Sequence, residues 1–243
     1  MKSCICRVIG NELPPKDSPG DRIKSLELVL EMDKAIDADK FWLLNRIIDS
    51  RYLKEVKAIL KDSEYLEIAF EKHEYKITFD KLHYVTNINP ARNELIKHYR
   101  DNYDNVYSLD QDCFFLKDMW EGIQKFITIN PRPYYGLLSK RITDLNKIWN
   151  EPDNEAMLVF TRQSEILFDE TIRFGENDKR ALLKQLGYTS NWSCLSTICA
   201  TAGNVLHIGY DDQIEKDINH RLKIRQLGLD NLLKRANDLM LFL

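Results

Sequence analysis

The chain has 243 residues and a mass of 28.6 kDa, with 44% hydrophobic and 30% charged residues, which excludes a disordered or fibrous polypeptide and leaves room for a sizeable core. A net charge of −3 and a pI of about 6.0 give no bulk pull towards nucleic acid, so no nucleic-acid partner is expected. There is no apolar run of transmembrane length, and the opening MKSCICRVIGNELPP is too short and too polar for a secretion signal.

SCICRVIG (residues 3–10) reads as a short buried strand, and the Pro and Gly of NELPPKDSPGDR make the next stretch a loop. Ile23, Leu26, Val29 and Leu30 recur at helical spacing in RIKSLELVLEMDKA. KFWLLNRII is a second buried strand, SRYLKEVKAILKDS a helix with Leu53, Val56, Ile59 and Leu60 on one face, and EYLEIAFE a third strand. NINPARNELIKHYRDN passes from loop to helix, NVYSLDQD is a fourth strand, and CFFLKDMWEGIQKFITIN is helical after its first residues. PYYGLLSKRI and EAMLVFTRQ predict further strands, FGENDKRALLKQLG a loop and a short helix stopped by Gly187, NVLHIGYDD a last strand, and residues 215–243 a helical tail. Strands alternating with helices predict one mixed α/β domain with a mostly parallel sheet flanked by helices. The five cysteines, Cys4, Cys6, Cys113, Cys194 and Cys199, read as reduced thiols of a cytoplasmic protein, with Cys4 and Cys6 as small buried hydrophobes.

Ligands of open α/β sheets bind beyond the carboxyl ends of the strands. Asn11-Glu12, Asn45-Arg46, Asp110-x-Asp112 and His207 all fall there. Asp110 and Asp112 lie two apart, so in an extended segment both point to one side. Like charges so placed need a cation or a donor network, and carboxylate oxygens suit Mg²⁺ or Mn²⁺, which also hold diphosphates. A solvated Asp-rich turn is the bland alternative.

The order of motifs adds context. Ala91-Arg92-Asn93 opens the helix that leads directly into SLDQD, VIGNE follows the first strand, FGENDKRALLKQLG sets acids before a helix, and GNVLHIGYDD places His207 on a late strand. Together, over residues 3–212, this resembles the glycosyltransferases of the GT-A fold, particularly the large family-2-like group. The resemblance implies a Rossmann-like transferase domain over residues 1–212, with residues 213–243 as a helical tail packed on it or used for association. It implies a nucleotide-sugar donor, most often a uridine diphosphate sugar, and a glycan, lipid-linked or small-molecule hydroxyl acceptor. It implies Mn²⁺ or Mg²⁺ held by Asp110, Asp112 and His207, nucleotide contacts from Asn11, Glu12, Arg92, Asn93 and Asp110, a catalytic base at Asp178 with Glu176 second, and inversion at the anomeric carbon; Asn45 and Arg46 join the nucleotide-binding candidates by their place at the strand end. The work implied is of the kind that builds surface polysaccharides.

Three departures are visible. The acidic motif is Glu176-Asn177-Asp178 rather than Glu-Asp, the second strand ends LLNRIID with Asp49 as the nearest acid for a ribose contact, and the chain is short for the group. Two other functions stay open. A sugar-nucleotide nucleotidyltransferase uses a related sheet but wants a Gly-rich basic loop after the first strand, which VIGNELPPKDSPG does not supply. A non-catalytic nucleotide-sugar-binding module would keep the fold without the chemistry. The amphipathic C-terminal helix can pack on the core, form a homodimer, or rest on the inner face of a membrane as a peripheral contact.

Overall fold

Seven consecutive buried residues, Ser3–Ile9, form strand β1, and burial on both faces is why its sequence shows no polar alternation. The computed structural model describes residues 1–13, 20–61, 63–142, 156–172, 178–189, 193–208 and 218–240. The other strands are β2 (Asp39–Asn45), β3 (Tyr65–Ile68), β4 (Asn105–Asp110), β5 (Cys113–Phe114), β6 (Tyr134–Ile142), β7 (Ala156–Thr161) and β8 (Cys199–Ile208). They join in one sheet of order β3-β2-β1-β4-β7-β6-β8-β5, in which β7 and β5 run against the other six. The expected mixed, mostly parallel sheet is therefore present.

The helices are α1 (Asp21–Asp33), α2 (Ser50–Leu60), α3 (Lys72–Ile77), α4 (Lys81–Thr86), α5 (Asn89–Tyr99), α6 (Lys117–Ile129), α7 (Asp178–Gln185) and α8 (Ile218–Met240). Side chains alternate across β1. Cys4, Cys6 and Val8 pack with Ala91, Leu95 and Ile96 of α5 and Leu182 and Leu183 of α7. On the other face Ile9 meets α1 and α2 through Ile23, Leu26 and Val56, and Ile5 meets α6 through Ile123 and Ile127. Gly187, at φ 93°, ends α7 as the sequence predicts. The short helices α3 and α4 add to the expected elements, and α8 packs on α4 through Leu222, Leu229 and Leu233 against Leu82 and Val85. Among the described residues, no helix is long and apolar enough to cross a membrane.

One residue breaks the apolar pattern of β1. The guanidinium of Arg7 is fully buried and meets Asp33, at the last turn of α1, through Nη1 at 2.7 Å and Nη2 at 3.0 Å. Its Nε and Nη2 also donate to the carbonyl of Cys113, at 3.1 and 3.0 Å, and its Cζ lies 5.2 Å from the Trp42 ring centroid. The planar fork thus satisfies a carboxylate and a strand-end carbonyl together. Cys113 follows directly on the Asp110-x-Asp112 segment, so the pair ties the turn after β4 to β1 and α1.

Asp33→Ala strands a buried guanidinium, and we expect it to cost about 3–5 kcal/mol in urea unfolding, whereas Glu31→Ala, which removes the exposed pair with Lys34, should cost at most about 1 kcal/mol.

Candidate functional site

The chain runs from β1 outwards to β2 and β3, then returns across β1 to form β4. That reversal opens a crevice at the carboxyl ends of β1 and β4, the place where open α/β sheets bind ligands. Asp110 ends β4 and faces the α5 and α7 side. Pro90 opens α5 and sets Arg92 in its first turn, from where Nη2 donates to Oδ1 of Asp110 at 2.7 Å. Lys179, in the first turn of α7, donates through Nζ to Oδ2 at 2.5 Å. Arg92 and Lys179 are nearly buried, at 3% and 8% side-chain exposure, while Asp110 retains 22%. Burial pushes the Asp110 carboxyl up, but Lys179 and Arg92 outweigh it and hold the group well below the usual carboxylate range.

Asp112 takes a different course. The strand stops at Asp110, and a turn through Gln111 and Asp112 sends the second carboxylate elsewhere. The segment is therefore not fully extended, and the two carboxylates take different partners. Ile208 N–H donates to the Asp112 carbonyl at 3.0 Å, and β5 pairs antiparallel with β8 so that Cys113 lies opposite His207. That pairing brings Nε2 of His207 to 3.3 Å from Oδ1 of Asp112. Burial and Asp110 push the Asp112 carboxyl up, and His207 with Arg22 draws it below its ordinary value. Ligand atoms of Asp112, Cys113 and His207 lie within 4.8 Å of one another, an oxygen, nitrogen and sulfur set that a divalent transition-metal ion fits. Asp110 stands outside this cluster.

The asparagines brace loops. Asn93 accepts from Phe168 N–H at 3.0 Å and donates through Nδ2 to Phe168 O at 2.8 Å and Glu170 Oε1 at 2.9 Å. Asn89 donates to Asp169 O and Asn87 to Glu170 O, both at 2.8 Å, while Arg92 Nη1 donates to Asn89 Oδ1 at 2.9 Å. Asn45, buried at the end of β2, donates to Asn87 O at 3.1 Å. Asn11 donates to Arg46 O and accepts from Ile48 N–H, both at 2.8 Å, which steadies the turn where Arg46 takes φ 48°. Arg46 itself donates to Tyr84 O at 3.1 Å and lies over the Tyr84 ring. Glu12 accepts from Gly20 N–H at 2.9 Å, and Asp49 caps α2 by accepting from Arg51 and Tyr52 N–H. Asn11, Glu12, Asp49, Tyr52 and Leu232 of α8 line a small cleft.

Of the acids expected to act as base, Glu176 lies outside the described residues; Asp178 is the first residue of α7, and its side chain is likewise not described. Trp149 and Trp192, aromatic residues of the sequence, lie outside them too. The sequence reading missed Lys179, although it adjoins the acidic motif, because nothing local tells a helix-surface lysine from one that reaches back to a strand end. It also missed Asn87 and Asn89, whose spacing with Asn93 in NINPARN was the available signal.

No family model matches the sequence, and no curated protein matches it. Solved structures do. S. aureus TarS 1–349 in complex with UDP-GlcNAc superposes with a TM-score of 0.54 at 9% identity, covering 88% of this chain and 60% of that one. The same protein in complex with UDP gives 0.52 at 10% identity, over 94% of this chain and 71% of that one. A putative nucleotide-diphospho-sugar transferase from Desulfovibrio desulfuricans G20 gives 0.48 at 14% identity, over 97% and 99%. At such identities the likeness to TarS is one of fold, a mixed α/β domain with helices on both faces of a largely parallel sheet.

Asn93→Ala orphans a buried N–H and a buried carbonyl of Phe168, each worth about 1–3 kcal/mol. We expect a lower urea midpoint and faster amide exchange at Phe168, while Gln226→Ala, at an exposed pair with Asp230, changes neither.

Proposed function

We propose that the protein is a metal-dependent, family-2-like glycosyltransferase that moves a sugar from a nucleoside-diphosphate sugar, a uridine diphosphate sugar foremost, to a hydroxyl acceptor with inversion. The observation that carries this reading is the Asp112–His207 pair beside Asp110 at the switch point of the sheet. The fold shared with TarS, a protein solved with UDP-GlcNAc and with UDP, supports it.

Asp112 and His207 are the residues that would hold the divalent cation, Mn²⁺ or Mg²⁺ by the family resemblance. When bound, such an ion acts as a Lewis acid on the leaving diphosphate. Asp110 does other work in this reading. Arg92 and Lys179 keep it ionised, and each carboxylate oxygen can accept a further hydrogen bond, so it is suited to a ribose hydroxyl of the donor. Asn11 and Asn45 serve by steadying the loops around the nucleotide, with Glu12 and Arg46 at its edge. Asp178, or Glu176 behind it, takes the proton of the attacking hydroxyl, a contribution on the order of 10²–10⁴-fold. Lys179 tethers the first turn of α7 to Asp110, and Asn87, Asn89 and Asn93 hold residues 168–170. Both flanks of the acidic segment are thereby anchored to the donor side, the kind of positioning that lets a base meet the anomeric carbon from the acceptor face.

Residues 1–212 are assigned to the transferase domain and 213–243 to its helical tail, which contributes Leu232 to the cleft. The acceptor class, a glycan, a lipid-linked sugar or a small molecule, sets whether that tail also serves a homodimer or a membrane surface. A cytoplasmic role in polysaccharide assembly fits this reading.

The test is calorimetric titration with uridine and guanosine diphosphates, with and without Mn²⁺, on wild type, Asp112→Ala and Asp110→Asn. We expect metal-dependent binding of one nucleotide, lost in Asp112→Ala, and weakened without loss of metal dependence in Asp110→Asn. Absence of binding under every condition, or pyrophosphate release from a nucleoside triphosphate, overturns the reading.

A further inference from the structure

The cluster beside the strand end contains a group that the proposed activity leaves unused. Cys113 is fully buried, and it lies opposite His207 in the antiparallel pairing of β5 and β8. Directly opposed residues of such a pair carry their side chains on one face at close range. One ligand atom each from Cys113, Asp112 and His207 fall within 4.8 Å of one another. Among the described residues no other group of three such side chains comes this close. Cys4 and Cys6, whose sulfurs are 3.9 Å apart, lie in the apolar cluster on the α5 side of the sheet.

The backbone around the cluster is held from two directions. Arg7 takes the Cys113 carbonyl and Ile208 N–H takes that of Asp112, so the local chain is anchored independently of what the two side chains do. The second acid that a two-carboxylate site would use is committed elsewhere, since both oxygens of Asp110 meet protein cations. The set that remains is one carboxylate oxygen, one imidazole nitrogen and one sulfur.

We propose that Cys113 is a ligand of the cation bound at this site, and that the site therefore prefers a thiophilic divalent ion such as Zn²⁺ or Co²⁺ to Mg²⁺. The inference rests on the reading that Asp112 and His207 hold a divalent cation. Mg²⁺ demands hard oxygen ligands in near-octahedral array and has little use for sulfur. Zn²⁺ and Co²⁺ accept mixed oxygen, nitrogen and sulfur sets. Ligation forms a metal–sulfur bond and releases the thiol proton to solvent, with no change of oxidation state. Without the ion, Cys113 is a small apolar filler among Leu109, Phe115 and Val205.

The test is titration of the full chain with Co²⁺ under reducing, oxygen-free conditions, followed by absorption. We expect the near-ultraviolet thiolate-to-cobalt band to grow and saturate at a single equivalent. Cys113→Ser and Cys113→Ala should lose that band and bind Co²⁺ and Zn²⁺ about 10- to 100-fold more weakly, with Mg²⁺ affinity little changed. His207→Ala should lose Co²⁺ binding as well. If Co²⁺ binds wild type at a single equivalent without the band, or the band survives in both Cys113 variants, Cys113 is not a ligand, while the cation reading stands. If folded wild type binds no Co²⁺, Zn²⁺ or Mn²⁺ in the presence or absence of uridine diphosphate, both are overturned. Absence of the band in cobalt-loaded wild type overturns the proposal even if a variant fails to fold.

Discussion

A buried guanidinium holds the centre of this molecule. Arg7 sits in the middle of β1, where the strand is covered on both faces, and a lone charge there would be prohibitive. Asp33 supplies the opposite charge and the Cys113 carbonyl accepts two of the remaining donors, so the cation is matched in charge and geometry together. Replacing such a pair with hydrocarbon is often neutral for stability, so its worth lies in what it orients. Here it orients the turn that leaves β4. Through that turn it governs where β5 begins, and β5 in pairing with β8 brings Asp112 and His207 together.

The two acids of SLDQD consequently divide the work. Asp110 is the last residue of a strand and keeps the period of Val106 and Ser108, which turns it towards α5 and α7 and into the reach of Arg92 and Lys179. Asp112 lies past the end of regular pairing and is free of that period. One carboxylate is neutralised by the protein's own cations; the other faces an imidazole and a thiol. A pair of like charges two residues apart thus meets different partners within the protein.

The asparagines of NINPARN do for residues 168–170 what Arg7 does for the turn after β4. An amide side chain both donates and accepts, so Asn93 can pair with the N–H and the carbonyl of Phe168 as a neighbouring strand would. Asn87 and Asn89 continue the contact along residues 169 and 170. This is a polar substitute for sheet pairing in a segment that carries no strand, and it is satisfied at several points, as buried polar networks must be.

Much of this was legible in the chain. Periodicity located the helices α1, α2, α5 and α6 and the strands β1, β2, β4, β6 and β7, because apolar spacing reports which faces are buried before the partner is known. Strands alternating with helices named the fold class, and the carboxyl ends of those strands named the region where Asp112 and His207 pair. Sequence alone did not reveal the partners. Asp110 and Lys179 are 69 residues apart, and Arg7 and Cys113 106 apart, and no local rule links residues at such separations. The two-residue β5 is too short to leave a pattern, yet its register with β8 decides what Asp112 faces. Residue types and spacing determined the fold class and the charge to be placed at the strand ends. Only the tertiary structure decided which cation, imidazole or thiol meets each acid, because side-chain pairing across a sheet depends on register and crossover, which the chain sets globally.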